Sequence, residues 1–499
     1  MFRTAEPAVA RRESVRRPYE LLEKGVQVMS NAAASRPWIG IAVLTLATAF
    51  GGCSMFGYGR DSQTTSRGTP PVASQTTTAA PAASAPAAAA PAPGRAAAAA
   101  PAAQTSAPAP GAASAPAAAA PAPTAAAPPP PPPIMPVDEA ILFAANNLFK
   151  NAQLPPGAPQ PFPVVIDPLI DGNTWVRTRA TEAMGATISS LVKEKFPQFQ
   201  MAPFSSNMLA KAPLLFIGTF TPVDMEGKNA GPREWYRVCL ALIDLRSGKI
   251  VSKGFARARP DGIDHTPTLF FQDAPAWSSD AGTIGYVGTC QGTKPGDQIK
   301  AEYWDKILSA AMINDAINAY EAGRYQEALD LYRGAQRAGA ADSMRVFNGI
   351  YLTTWKLGRK EDAAEAFGRI VDHGLERKRL GVKFLFRPGS TLFVADEQVS
   401  GPYKIWLSEI GKRTRSGAEC LEVSGHSSRT GPEPLNVRLS QARAEYVRNE
   451  ITGGREPIVR KILATGKGSS EAISGLGTDD ARDAIDRRVE FKVIPCTGA

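Results

Sequence analysis

Histidine and cysteine are scarce in this chain. Three histidines (His265, His373, His426) and five cysteines among 499 residues, with no Cys-x-x-Cys spacing, leave little from which to build a metal centre or a thiol active site. No metal and no cofactor are therefore expected. Charged residues make up only 21%, and the net charge of +9 is spread without the basic stripes that mark a nucleic-acid surface, so no nucleic-acid partner is expected either. No nucleophile, base and orienting group recur together in motif form, which places the chain outside the enzymes. The uncharged run at 39–50 has 12 residues, short of the roughly 20 that cross a bilayer. Alanine and proline, in contrast, are abundant and concentrated: they supply 46 of the 55 residues at 79–133. Such a stretch cannot bury a core, so it must be set aside before domains are counted.

The run 39–50 (IGIAVLTLATAF) follows Arg36 and precedes Gly51, Gly52 and Cys53, which suits the apolar core of a secretory signal peptide. A cysteine directly after two small residues resembles the lipobox of bacterial lipoproteins, with Phe50 where that family usually has Leu. The resemblance implies cleavage before Cys53, lipidation of its thiol and acylation of its freed amine. Ser54, in place of the Asp that retains lipoproteins at the inner membrane, implies an outer-membrane anchor facing the periplasm. Residues 1–52 then form the signal region, with Met29 as an alternative start, and they carry +3 of the charge. Residues 53–136 read as a disordered Ala/Pro-rich linker. At about 3.1 Å per residue of polyproline II, its 55-residue tract reaches at most roughly 170 Å.

Beyond the linker, fold class reads as α/β and α+β in several domains. In 137–300, helical periodicity at 140–150 and 178–196 alternates with strand patterns at 163–166, 214–221, 235–245 and 249–257, the last two joined through Arg246-Ser247-Gly248. This order is similar to the envelope module of the CsgG, FlgO and LpoB lipoprotein groups. Asp167, Asp171 and the pair Asp264-His265 read as capping and turn residues. In 301–378, Tyr320, Gly323, Arg324, Tyr325, Ala328 and Tyr332 recur 35 residues on as Trp355, Gly358, Arg359, Lys360, Ala363 and Phe367. The spacing resembles tetratricopeptide repeats, whose unit is 34 residues. Two units are fewer than stand alone, so the pair should lean on a neighbour, either as a peptide-binding groove contacting an envelope protein or as a helical spacer.

Residues 379–499 resemble the OmpA-like (OmpA/MotB C-terminal) peptidoglycan-binding domain through an ordered series of motifs. Residues 382–386 stand at its first strand and 421–426 at its second. Leu435-Asn436-Val437-Arg438-Leu439-Ser440-Gln441-Ala442-Arg443-Ala444 matches its L-N-x-x-L-S-x-x-R-A helix, and Gly466-Lys467-Gly468 follows its third strand. Asp486-Arg487-Arg488-Val489-Glu490-Phe491 matches its N-R-R-V-E-F. Without the family, the segment still alternates strand and helix, with an amphipathic helix at 440–451 and a strand at 488–494.

The family's ligand is the diaminopimelate-containing stem peptide of peptidoglycan, held by an arginine and an aspartate. The resemblance puts the arginine at Arg443, which suits a carboxylate because guanidinium binds it as a two-pronged fork. The aspartate position is Ser428, which cannot neutralise an ammonium. Arg482 is retained, the residue before it is Ala481 in place of Gly, Asp486 replaces an Asn, and Arg387 stands where the family commonly has Asp. Two readings stay open: weak or altered peptidoglycan binding, with Asp479, Asp480 or Asp486 supplying the missing charge, or a fold kept for protein contacts. Cys420 opens the second strand and Cys496 ends the last, which suits a disulfide between them and leaves Cys239 for Cys290 in an oxidising compartment. The chain as a whole is thus expected to be an outer-membrane lipoprotein tethering the envelope through peptidoglycan. The alternative is an interaction or regulatory lipoprotein of a wall synthase, flagellar or secretion assembly.

Overall fold

In the computed structural model the described residues are 132–154, 161–229, 233–387, 389–417, 420–455, 458–473, 477 and 483–496. Cys53, Arg482, Asp479, Asp480 and almost the whole linker lie outside them. The first strand, β1 (Ile134–Met135), occupies the last residues of the segment read as linker and pairs with Arg257 and Ala258.

Six further strands join β1 in a seven-stranded sheet: β2 (Phe162–Ile166), β3 (Ile170–Asp171), β4 (Phe199–Pro203), β5 (Leu214–Val223), β6 (Trp235–Asp244) and β7 (Lys249–Ala258). The order is β1-β7-β6-β5-β2-β4, with β3 also against β5. All ten residues of β5 are buried, as expected of a central strand covered on both faces. Helices α1 (Val137–Lys150) and α2 (Arg179–Lys195) lay Leu148, Phe149, Ile188 and Val192 on one face of the sheet. Helix α2 starts sharply: the Thr178 hydroxyl accepts from the Thr181 amide (3.3 Å) and the Thr181 hydroxyl accepts from the Thr178 amide (2.9 Å), a reciprocal capping box. The other face is closed by α3 (Ala281–Gln291), and Cys239 of β6 forms a disulfide with Cys290 at its end.

Between β2 and β3 the ladder is interrupted. Pro168 has no amide to donate, and the amide of Gly218 across the gap donates to the Tyr286 hydroxyl of α3 (2.9 Å). That hydroxyl in turn donates to the carbonyls of Gly218 (3.0 Å) and Pro168 (3.2 Å), so a side chain satisfies the backbone where the strand breaks.

Four helices follow as two antiparallel pairs: α4 (Ile307–Glu321) with α5 (Tyr325–Ala335), and α6 (Met344–Lys356) with α7 (Lys360–Glu376). The recurring residues have a physical basis. Gly323 and Gly358 turn each pair at φ of 74° and 73°, where L residues with a Cβ are strained. Ala328 and Ala363 are fully buried where helices approach, and Tyr332 and Phe367 fill the space beside them. These aromatics are committed to neighbours on both sides: Tyr332 stacks on Phe270 at 6.0 Å, and Phe367 on Trp406 at 5.4 Å. The helix pairs therefore do lean on what flanks them.

The second sheet has the order β11-β10-β12-β9-β8, formed by β8 (Ala276–Trp277), β9 (Arg379–Lys383), β10 (Cys420–Gly425), β11 (Ile462–Gly466) and β12 (Arg488–Ile494). Helices α8 (Tyr403–Ser416) and α9 (Glu433–Thr452) pack on it, and Cys420 is bonded to Cys496. The first strand ends at Lys383 and does not run through 386. The Leu385 amide donates to the Tyr403 hydroxyl (3.0 Å), while Phe384 and Phe386 turn onto Phe393 at 5.4 and 5.2 Å. Past Lys383 the backbone leaves the sheet and pairs locally instead, Phe386 bridging antiparallel to Phe393.

The borders at 300/301 and 378/379 do not separate independent cores. Strand β8, from the first segment, pairs antiparallel with β9 (Ala276 with Val382, Trp277 with Gly381). One apolar cluster runs from Phe270 and Ala276 through the helix pairs to Val423, Val489 and Phe491. No described helix is long and apolar enough to cross a membrane.

Candidate functional site

The residues singled out in 379–499 are built around the C-terminal ends of β10 and β11. Gly425 and Gly466 end these strands, and a Cβ on either would strike the backbone of α9, at the Ser440 carbonyl and the Gln441 amide respectively. Their bare backbones let α9 lie directly on the strand ends. The loops are then tied down: the Ser427 amide donates to the Gly468 carbonyl (2.9 Å), and the Gly468 amide donates to the Ser440 hydroxyl (2.9 Å).

Arg443, one helical turn beyond Ser440, is 3% exposed. Its Nε donates to the Ser390 carbonyl (3.2 Å), its Nη2 reaches the Arg387 carbonyl (3.5 Å), and its guanidinium lies 4.8 Å from the centre of the Phe386 ring. A desolvated guanidinium against an aromatic face keeps a strong preference for a planar anion. Ser428 is buried in the loop after β10, and its hydroxyl faces that of Thr430 at 3.4 Å. Asp486 is fully buried and accepts from the Ile473 amide (2.5 Å), while Arg233 of the first segment donates to the Ile473 carbonyl (3.0 Å). Ser428 and Arg443 thus belong to loops and helix tied at one end of the sheet, whereas Asp486 is held at the contact with the first segment.

His426 follows β10 and is 1% exposed, with no hydrogen bond to either ring nitrogen among the described residues. Burial, and then the nearby Arg488 charge, hold its pKa down at about 3, so the ring is neutral and packs as an apolar group.

An ion cluster that sequence reasoning missed underlies the site. Glu490 of β12 is fully buried and accepts from Arg379 Nε (3.0 Å), Arg379 Nη2 (2.8 Å) and Arg488 Nε (2.7 Å). Burial alone would raise its pKa, but the hydrogen bonds from Arg379 and the charge of Arg488 overcome it and bring it to about 2. Arg488 and Glu490 are two apart on a strand and so share a face, a signal present in the sequence. Arg379, 111 residues earlier, could not be linked to them without the sheet register.

Of the acids in the first segment, Asp171 and Asp264 do hold turns: Asp171 accepts from the Asn173 (2.8 Å) and Thr174 (2.9 Å) amides, and Asp264 from the Thr266 amide (2.9 Å). His265 stacks on Tyr236 at 5.0 Å. Asp167 corrects the turn reading. It is buried in the break between β2 and β3, accepts a hydrogen bond from the Tyr303 hydroxyl, and burial lifts its pKa to about 7. No cluster of three or more potential metal ligands occurs among the described residues.

No protein-family model matches the chain. It is 38% identical over 74 residues, 15% of this chain, to outer membrane porin F of Pseudomonas fluorescens, and the match spans 22% of that protein. Among solved structures it is similar to the peptidoglycan-associated lipoprotein of Burkholderia pseudomallei (25% identity, 23% of this chain and 89% of that one, TM-score 0.19). It is also similar to a MotB-like protein of Desulfovibrio vulgaris (26% identity, 24% and 74%, TM-score 0.19) and to the cell-wall anchor of the type VI secretion system of Pseudomonas aeruginosa (21% identity, 26% and 96%, TM-score 0.20). The chain is thus similar, over part of its length, to OmpA-like and peptidoglycan-associated proteins.

Proposed function

We propose that this is an envelope protein that binds peptidoglycan non-covalently through the end of its second sheet and is held to the outer membrane by lipid on Cys53, the Ala/Pro tract spanning the gap. The observation that carries the reading is Arg443. It stands in the L-S-x-x-R-A pattern of 439–444, buried beside the Phe386 ring at the strand ends. A stem-peptide carboxylate is the natural acceptor for such a fork. With Ser428 where an aspartate would complete the grip, the ligand's ammonium loses a charge-assisted bond, a loss of about 1.5–3 kcal/mol. Weak or altered binding is the expected form.

Purified sacculi test it. Wild-type protein should sediment with them, Arg443→Ala should not, Arg443→Lys should fall between, and Ser428→Asp should bind more tightly. Equal sedimentation of wild type and an Arg443→Ala variant with native circular dichroism overturns the reading. A second reading, a lipoprotein that contacts an envelope assembly, is favoured by the near-complete burial of Arg443 and Ser428. It would stand if wild type failed to sediment while crosslinking in cells from the exposed faces of the helix pairs captured one envelope protein.

A further inference from the structure

The break between β2 and β3 opens onto a cavity. Asp167 and Tyr286 line it from the sheet side, Tyr303 and Asn314 from the start of the helical segment, and Arg345 from α6. Most of its charges are already matched. Lys306 pairs with Asp342 (3.4 Å) and donates to the Gly339 carbonyl (2.8 Å). Arg177 pairs with Glu321, and Asp280 caps α3 by accepting from the Thr283 amide (2.8 Å) and also accepts from the Ser343 hydroxyl (3.0 Å).

Two groups remain. Arg345 makes no hydrogen bond among the described residues: its Nε is buried without a partner, and its nearest carboxylate oxygen, on Asp280, is 3.9 Å from Nη2. A guanidinium whose Nε is buried without an acceptor is costly unless something supplies one. Asp167 is a carboxylate with a single described donor, the Tyr303 hydroxyl. Burial lifts its pKa towards neutrality, while that hydrogen bond and the Arg345 charge oppose the rise. The two groups form no ion pair with each other among the described residues, and the Arg345 charge is met only by the 3.9 Å approach to Asp280. Phe271, Ile313 and Ile317 provide apolar wall beside them.

We propose that this cavity binds a small zwitterion of the amino-acid class, its carboxylate on Arg345, its ammonium on Asp167 and its side chain against Phe271, Ile313 and Ile317. An anion alone would leave Asp167 facing like charge, and an amine alone would leave the Arg345 donors unused. Of the two receptor groups, the Asp167 carboxylate is held in advance by the Tyr303 hydroxyl, whose neighbour Tyr286 is fixed by Gly218 and Pro168.

Isothermal titration calorimetry on the full chain tests this with both enantiomers of norleucine, with hexanoate, which lacks the ammonium, and with pentylamine, which lacks the carboxylate. At least one enantiomer should bind at millimolar concentration or below. Hexanoate and pentylamine should each be at least about 10-fold weaker, the loss expected for one charge-assisted hydrogen bond. Asp167→Asn, which keeps an acceptor for Tyr303, and Arg345→Gln should both abolish binding while retaining native near-ultraviolet circular dichroism. Binding of neither enantiomer, equal binding of hexanoate or pentylamine, or undiminished binding by a folded Asp167→Asn or Arg345→Gln overturns the proposal.

Discussion

Two buried carboxylates pull stability in opposite directions with pH. Glu490, held at a pKa of about 2, contributes stability that is fully present above its unfolded value near 4.5 and is lost as the pH falls towards 2. Glu490→Gln leaves Arg379 and Arg488 without their counter-charge and should cost about 3–5 kcal/mol by urea denaturation at pH 7, with a flatter profile between pH 5 and 2. A stability loss below about 1 kcal/mol would show that the cluster is energetically idle. Asp167 behaves in the reverse sense. Its raised pKa of about 7 means that stability is greatest below the unfolded value near 3.8 and declines as the pH rises towards 7. Asp167→Asn should therefore melt higher than wild type at pH 8 and nearly equal to it at pH 4. An Asp167→Asn variant melting lower than wild type at both pH values would contradict this account of the site.

Elements were the most legible level. The capping residues, the 2.0 and 3.6 periodicities and the repeat at 35 residues all act over short sequence distances, so the strands at 163–166, 214–221 and 235–257 and the helix at 178–196 correspond to β2, β5, the β6–β7 pair and α2 within a few residues. Thr178→Ala should cost about 1 kcal/mol, since it removes one arm of the box at the start of α2. Where long-range packing intervened, the pattern misled: the strand expected at 382–386 stops at Lys383 because Tyr403 takes the Leu385 amide. The seat of α9 is an element-scale feature that no local pattern announces. Gly425→Ala should lower stability by about 1–3 kcal/mol by forcing the helix off the sheet. An unchanged melting temperature in that variant would mean that the helix and the strand ends accommodate the methyl without strain.

At the scale of the whole molecule the described parts interlock. Lys383 of β9 donates to the carbonyls of Phe271 (3.1 Å) and Gln272 (2.7 Å), Asn348 of α6 donates to the Ala276 carbonyl (2.9 Å), and Trp406 of α8 donates to the Tyr351 hydroxyl (2.7 Å). A fragment of residues 379–499 lacks β8 and two aromatic partners of Trp406, Tyr351 and Phe367, so its melting temperature should fall below that of the last transition of the full chain. Equal melting would mean that the shared sheet contributes nothing. The sequence by itself determined the kinds of element, the order of segments, the Ala/Pro-rich tract and the motif carrying Arg443, because composition, periodicity and motif wording are local properties of the chain. Only the tertiary structure decided that β8 completes the second sheet, that Arg379 meets Glu490, and that Asp167 faces a cavity with Arg345. Each of these pairs residues more than 100 positions apart, and which distant residues meet is set by sheet register and shared burial, neither of which a local pattern contains.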